Sequence, residues 1–290
     1  MIWVALDFST TTGTTEFVDS VNNGPWGTAF ADEVLPALEH KYRMDARPSG
    51  RFLTGHSSGG WFAAAALVQH PALFGGSWPT SPDPVDFHAF TGVDLYARGA
   101  NMYRDGAGAP RPLERDGTRT VETIEQAAKL EAALGRDGGQ LRSFEWSFSP
   151  RGADGAPVPM FDRQSGAVDP KVVTYWRNRY DLAHLIEEGG PQMQRQLDGK
   201  LHVTVGANDS YFLDASVRGL EASMKRAGVR RDFTYVPNAT HSMAQVYTRA
   251  GDRAGLWKQM TQAMYAIARP HSSWSPRAAT SAGTARQTGS

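Results

Sequence analysis

Three observations place this chain in the α/β class, with a mostly parallel sheet and helices on both faces. Short apolar runs rich in strand formers alternate with helical stretches up to Trp78, and again from Leu201 to Ala268. The runs are continuously apolar, as in strands buried on both faces. A glycine-bracketed serine, Gly55-His56-Ser57-Ser58-Gly59, falls between one such strand and one such helix.

The first expected strand is 2–6, Ile-Trp-Val-Ala-Leu, which ends in a Thr/Gly-rich loop. A helix is expected over 28–42, because Phe30, Val34, Leu38 and Tyr42 recur every four residues, and Pro36 should kink it. Ser49-Gly50 breaks the chain before a second strand at 51–54. A tight turn follows over 55–60, then an alanine-rich helix over 61–69 that Pro71 stops, and a third strand over 74–78. From 80 to 199 the pattern loosens into Pro/Gly/Asp-rich stretches with helices expected at 121–134 and 171–185. This stretch reads as an insertion or lid carried by the sheet. A strand at 201–205, a helix at 215–227 closed by Gly228, a strand at 232–236 and a helix at 255–268 complete the core. The expected organisation is therefore one domain over 1–269, with 80–199 inserted. The Ser/Ala/Thr/Arg/Gly-rich residues 270–290 read as a disordered tail.

Composition removes several classes of function. The 290 residues carry 30 Lys and Arg against 30 Asp and Glu, so no basic field invites nucleic acid or anionic lipid. With no cysteine there is no disulfide framework, thiol nucleophile or Fe–S cluster. No apolar run approaches the roughly 18 residues of a membrane span, and no signal-peptide pattern is visible. No His/carboxylate cluster has metal spacing and no Gly-rich loop cradles phosphate, so neither metal nor cofactor is expected. Localisation and oligomeric state stay open.

The serine motif gains its meaning from its context. A nucleophile elbow needs a strand before it and a helix after it, with the serine on a strained turn that glycines permit. Residues 51–54 and 61–69 supply both. Ser281, in a partial match, lies in the tail without flanking elements. A serine nucleophile needs a base, and the base needs an orienting carboxylate, in the chain order Ser, acid, His. Asp209 follows the strand 201–205, at the strand end where open α/β sheets place their sites. Asp214 lies about one helical turn further on, and Asp83 and Asp86 follow the third strand. These remain alternative acids. His241 sits in a polar loop after the strand 232–236, last in order, and is the candidate base. His40, His70, His202, His184, His271 and His56 fit worse by position. Trp78, Trp146, Tyr175, Trp176, Tyr211 and Phe212 are candidates to line an acyl pocket, against the commoner role of aromatics as plain core.

These residues resemble a known family. Glu33-Val34-Leu35-Pro36 followed by Gly55-His56-Ser57-Ser58-Gly59-Gly60 is similar to the putative esterase family of α/β-hydrolases, which includes the esterase D, feruloyl esterase and enterochelin esterase groups. Val205-Gly206-Ala207-Asn208-Asp209 and Ala239-Thr240-His241 resemble its acid and histidine segments. The resemblance covers about 1–78 and 200–268. It implies an α/β-hydrolase fold and a serine hydrolase that cleaves small carboxylic esters through an acyl-enzyme. Ser57 would be the nucleophile, His241 the general base and then acid, Asp209 the orienter, and the backbone N–H of Ser58 one oxyanion donor. A peptidase or acyltransferase on the same triad, or a non-catalytic relative, are the alternatives.

The family's second oxyanion donor comes from a loop after a strand that precedes the segment matched by 2–6. That strand has no counterpart here. The resemblance therefore implies either an N-terminally shortened chain, or a first strand that slides across to pair beside 52–54.

Overall fold

The computed structural model describes residues 1–135, 139–243 and 255–271. Its centre is a parallel four-stranded sheet of β1 (Phe52–Ser57), β2 (Gly76–Pro82), β3 (His202–Gly206) and β4 (Asp232–Val236), in the order β4-β3-β2-β1. β1 and β2 pair along their length, as do β3 and β4. β2 meets β3 at Thr80–Thr204 and at the bridge Ser77–Leu201.

Helices cover both faces, as the continuously apolar runs require. Side chains alternate across a strand. Leu53, Val203 and Val205 point into the main core with the helices α2 (Ser58–Gln69) and α3 (Leu213–Arg226). Phe52 and Trp78 point the other way, against Leu256, Met260 and Met264 of α4 (Gly255–Ala268). No helix among the described residues is long and apolar enough to cross a membrane.

Several elements differ from expectation. Residues 2–6 form no strand. They run along the outer side of β1 without pairing to it, and β1 is the sheet's edge among the described residues. A cavity of about 780 Å³ lies there, with Ile2, Trp3, Val4, Phe52 and Leu53 in its walls. A β-rich run becomes a strand only where its backbone finds a ladder. Here Trp3 instead sets its ring edge-on to Trp257, at 5.7 Å between centroids. The expected sliding of this run into the sheet does not occur.

The expected helix 28–42, α1, is helical throughout, but its middle is a π-turn, Phe30–Val34, between Trp26–Ala29 and Leu35–Tyr42. Pro36 is the cause. It has no N–H, and its ring crowds the carbonyl four residues back, so the chain widens to a Leu35 N–H bond on the Phe30 carbonyl.

Residues 121–123 belong to a hairpin, Pro112–Asp116 with Arg119–Thr123, and the helix begins at Ile124 behind a capping box of Thr123 and Gln126. The expected helix 171–185 is two, Pro170–Tyr180 and Leu182–Glu188, split at Asp181. Asp181 is fully buried and accepts from the His184 and Phe87 N–H groups and the Tyr96 hydroxyl. Helices Gln140–Phe148 and Gly190–Leu197 went unforeseen. The described residues of the long connection between β2 and β3 are thus rich in secondary structure. Ile124, Leu141, Phe144, Phe148 and Trp176 share one core with Val203 and Val217. All but the first two residues of 270–290, Ser281 included, lie outside the described residues.

Candidate active site

The site gathers at the carboxyl ends of the four strands. β1 ends in Ser57, and α2 starts at the next residue. Ser57 is held at φ +56°, ψ −122°, a region that costs a non-glycine residue about 1–3 kcal/mol. Two glycines allow the turn. A Cβ on Gly55 would run into the Gly59 carbonyl, and one on Gly60 would come within 2.9 Å of the Thr80 carbonyl oxygen. Gly59, the motif's own last glycine, would meet nothing nearer than Phe8 at 3.8 Å. The close approach to the neighbouring strand therefore belongs to Gly60.

Ser57, His241 and Asp209 come together. His241 Nε2 lies 3.2 Å from Ser57 Oγ, and His241 Nδ1 lies 3.0 Å from Asp209 Oδ2. With the tautomer assigned from these partners, Nδ1–H donates to the carboxylate and Nε2 faces the serine. Asp209 is fully buried, and its other oxygen accepts from the Tyr211 N–H at 2.9 Å. Gly206, at the end of β3, packs against the carbonyls of Ala239 and Thr240 and brings the acid loop against the histidine loop. The Ser58 N–H opens α2, where the first-turn N–H groups have no partner inside the helix.

The alternative acids sit elsewhere in the network. Asp214, in the first turn of α3, pairs with Arg115 at 3.3 Å and Arg218 at 3.9 Å and does not reach His241. Burial pushes its carboxyl up. Asp86 pairs with His88 at 2.9 Å. Asp83 touches the serine itself. Ser57 Oγ donates to Asp83 Oδ1 at 3.0 Å and Ser58 Oγ to Oδ2 at 2.7 Å. A bulge in β2 at Ser81, with φ +36°, sets Pro82 opposite Ser57 and turns Asp83 into the site.

Other neighbours were not singled out as site residues by the sequence. Glu16 is fully buried, with neither carboxylate oxygen in hydrogen-bonding geometry. Burial pushes it well up, the Asp83 carboxylate pushes the same way, and the nearby Ser58 hydroxyl opposes them. Gln140 reaches Asp83 at 3.4 Å. His56 lies 4.6 Å ring to ring from His241 and bonds Thr80. Burial, reinforced by His241, pushes His56 down to about 4, so it is neutral at pH 7. Arg115, from the hairpin, donates to the Asp209 carbonyl at 3.0 Å and lies 4.2 Å over the Phe212 ring.

Of the six aromatics considered for an acyl pocket, Tyr211 meets His241 edge-on at 5.0 Å. Trp176 is inside the main core, and Trp78 stacks on His202 in the α4 layer. A strand side chain that alternates away from the catalytic edge cannot serve it. Asp86, His88 and Asp181 bring one ligand atom each within 4.8 Å of one another, but their hydrogen bonds are internal.

Residues 13–109 match the family described as putative esterase. No curated protein matches the sequence. Among solved structures, a ferulic acid esterase is 15% identical, over 87% of this chain and 64% of its own, with a TM-score of 0.44. An S-formylglutathione hydrolase from Agrobacterium tumefaciens is 18% identical, over 89% and 63%, with a TM-score of 0.45. A fluorophosphonate-binding serine hydrolase from Staphylococcus aureus is 13% identical, over 88% and 68%, with a TM-score of 0.40. The chain thus spans a little under two thirds of the length of the first two. The chain folds as a parallel sheet flanked by helices on both faces, and the third of it that carries the elbow matches the putative esterase family.

Proposed function

We propose that this protein is a serine hydrolase that cleaves small carboxylic esters through an acyl-enzyme. The observation that carries this reading is the continuous hydrogen-bonded chain Asp209–His241–Ser57, ending on a serine in an elbow conformation. The family match over residues 13–109 favours an ester over a peptide bond.

In this reading Ser57 Oγ attacks the ester carbonyl while His241 Nε2 takes its proton. Asp209 holds the imidazole and stabilises its charge. The tetrahedral oxyanion takes the Ser58 N–H at the start of α2, where the helix dipole favours negative charge. The protonated His241 then gives its proton to the leaving alkoxide, and the bond between carbonyl carbon and alcohol oxygen breaks. Water, deprotonated by His241, attacks the acyl-enzyme, and the acid departs as Ser57 regains its proton.

The protein should turn over p-nitrophenyl acetate, and Ser57→Ala should lower kcat by a factor on the order of 10⁴ or more. Activity retained in the alanine variant would refute the assignment. Short peptide and thiol-acceptor assays separate the esterase from a peptidase or acyltransferase.

A further inference from the structure

The hydroxyl of Ser57 has one hydrogen and faces two acceptors. His241 Nε2 is at 3.2 Å and Asp83 Oδ1 at 3.0 Å. A hydroxyl donates once. When it donates to Asp83, His241 has no proton to abstract along its own hydrogen bond. A carboxylate beside the oxygen also opposes the charge that grows there.

Resting on the serine-hydrolase reading, we propose that Asp83 is a positioning residue that restrains Ser57: ionised, it draws the serine hydrogen away from His241, and protonated, it hands that hydrogen back. In the protonated state an Asp83 O–H donates to a serine oxygen, and Ser57 O–H is left to point at His241.

The surroundings favour interconversion between the two states. Asp83 is almost fully buried, and burial pushes its carboxyl up, with Asp209 adding to this. The Ser58 and Ser57 hydroxyls and His241 oppose the rise. Among the described residues, the polar neighbours of Asp83 come from several elements. Ser57 and Ser58 come from the elbow, Glu16 from the N-terminal loop, Gln140 from the helix Gln140–Phe148, Asp209 from the β3 loop and His241 from the β4 loop. Among these, Glu16 is a second buried carboxyl, and the Asp83 carboxylate adds to the burial that pushes it up. The arrangement is distinct from the triad, since Asp209 already occupies the only histidine nitrogen that a triad acid would need.

The test is the rate of labelling by a fluorophosphonate probe, followed from pH 4 to pH 9.5 in the full chain. Asp83→Asn keeps the shape and cannot ionise. It should label roughly tenfold faster than the wild type at the alkaline end, the scale of one hydrogen bond to a charged group. The ratio should shrink toward one as the pH falls and Asp83 takes up a proton. Ser58→Ala removes the hydroxyl that stabilises ionised Asp83 while keeping the backbone N–H, so it should move the profile the same way by a smaller factor. It also serves if Asp83→Asn does not fold.

An Asp83→Asn protein that folds, judged by thermal unfolding, yet labels no faster than wild type at any pH overturns the proposal and leaves the hydrolase reading intact. So does a Ser58→Ala profile that moves the opposite way. A purely packing role for Asp83 would lower the rate without a pH-dependent ratio. If neither the wild type nor the variants label, both readings fall together. Labelling of Asp83→Asn alone would support both.

Discussion

Glu16 is a group that the fold holds at a cost. Its carboxyl is fully buried, with only the nearby Ser58 hydroxyl to favour its charge, and its neighbour Asp83 repels a second charge. Its folded pKa is therefore above the unfolded one. Between those two values the folded state keeps a proton that the unfolded state has lost, so stability falls as pH rises. Glu16→Gln removes that penalty. It should be nearly neutral near pH 4, where folded and unfolded states both hold the proton, and stabilising at pH 8, by about 1.4 kcal/mol for each pH unit between the unfolded pKa and the lower of pH 8 and the folded pKa. Thermal unfolding at the two pH values checks this, and an equal effect at both would count against it. The sequence shows why such a residue is invisible in advance. Ser57, Asp209 and His241 announce themselves by chain order and by following strands, whereas Glu16 sits in a Thr-rich loop that no motif marks. Asp83 was legible as an acid after the third strand. Its contact with the serine was not, because that depends on the bulge at Ser81.

At the level of elements, the elbow is a packing problem with one glycine more than its motif names. Gly55→Ala would drive its methyl into the Gly59 backbone, and Gly60→Ala would press on β2, whereas Gly59→Ala has room. Expected outcomes are loss of soluble protein for Gly55→Ala, a loss of about 1–3 kcal/mol for Gly60→Ala as in other overpacked sites, and a near-silent Gly59→Ala. Chemical denaturation of the three variants tests the order. Elements with both a clear period and a capping or breaking residue were readable: 232–236 and 255–268 form where expected. Those that failed lacked one of the two. Residues 171–185 keep an unbroken stripe, and only the buried bonds to Asp181 reveal the split. Residues 2–6 have the right composition for a strand and no ladder to join.

Across the whole molecule, the long connection between β2 and β3 does more than decorate the sheet. Its hairpin, Pro112–Asp116 with Arg119–Thr123, bonds the acid loop twice, from the Arg115 N–H to the Ser210 carbonyl at 2.9 Å and from Arg115 Nε to the Asp209 carbonyl. Arg115→Ala should therefore lower kcat several-fold, on the order of one lost hydrogen bond, with KM little changed and the melting temperature moved by only a few degrees. A KM effect without a kcat effect would place Arg115 at the substrate instead. Composition pointed to this connection as a lid, and nothing local in it reveals that its helices complete the main core. The tightness at Gly206 has a further consequence. With the Ala239 and Thr240 carbonyls pressed on its α-carbon, the corner shared by β3 and β4 has no slack, and chain cannot be added there without parting acid from base. The corner after β2 is different, because a long connection separates it from β3. Growth of this fold has gone through that corner, where some 120 residues stand between Pro82 and His202 and carry whatever new shape is offered to a substrate.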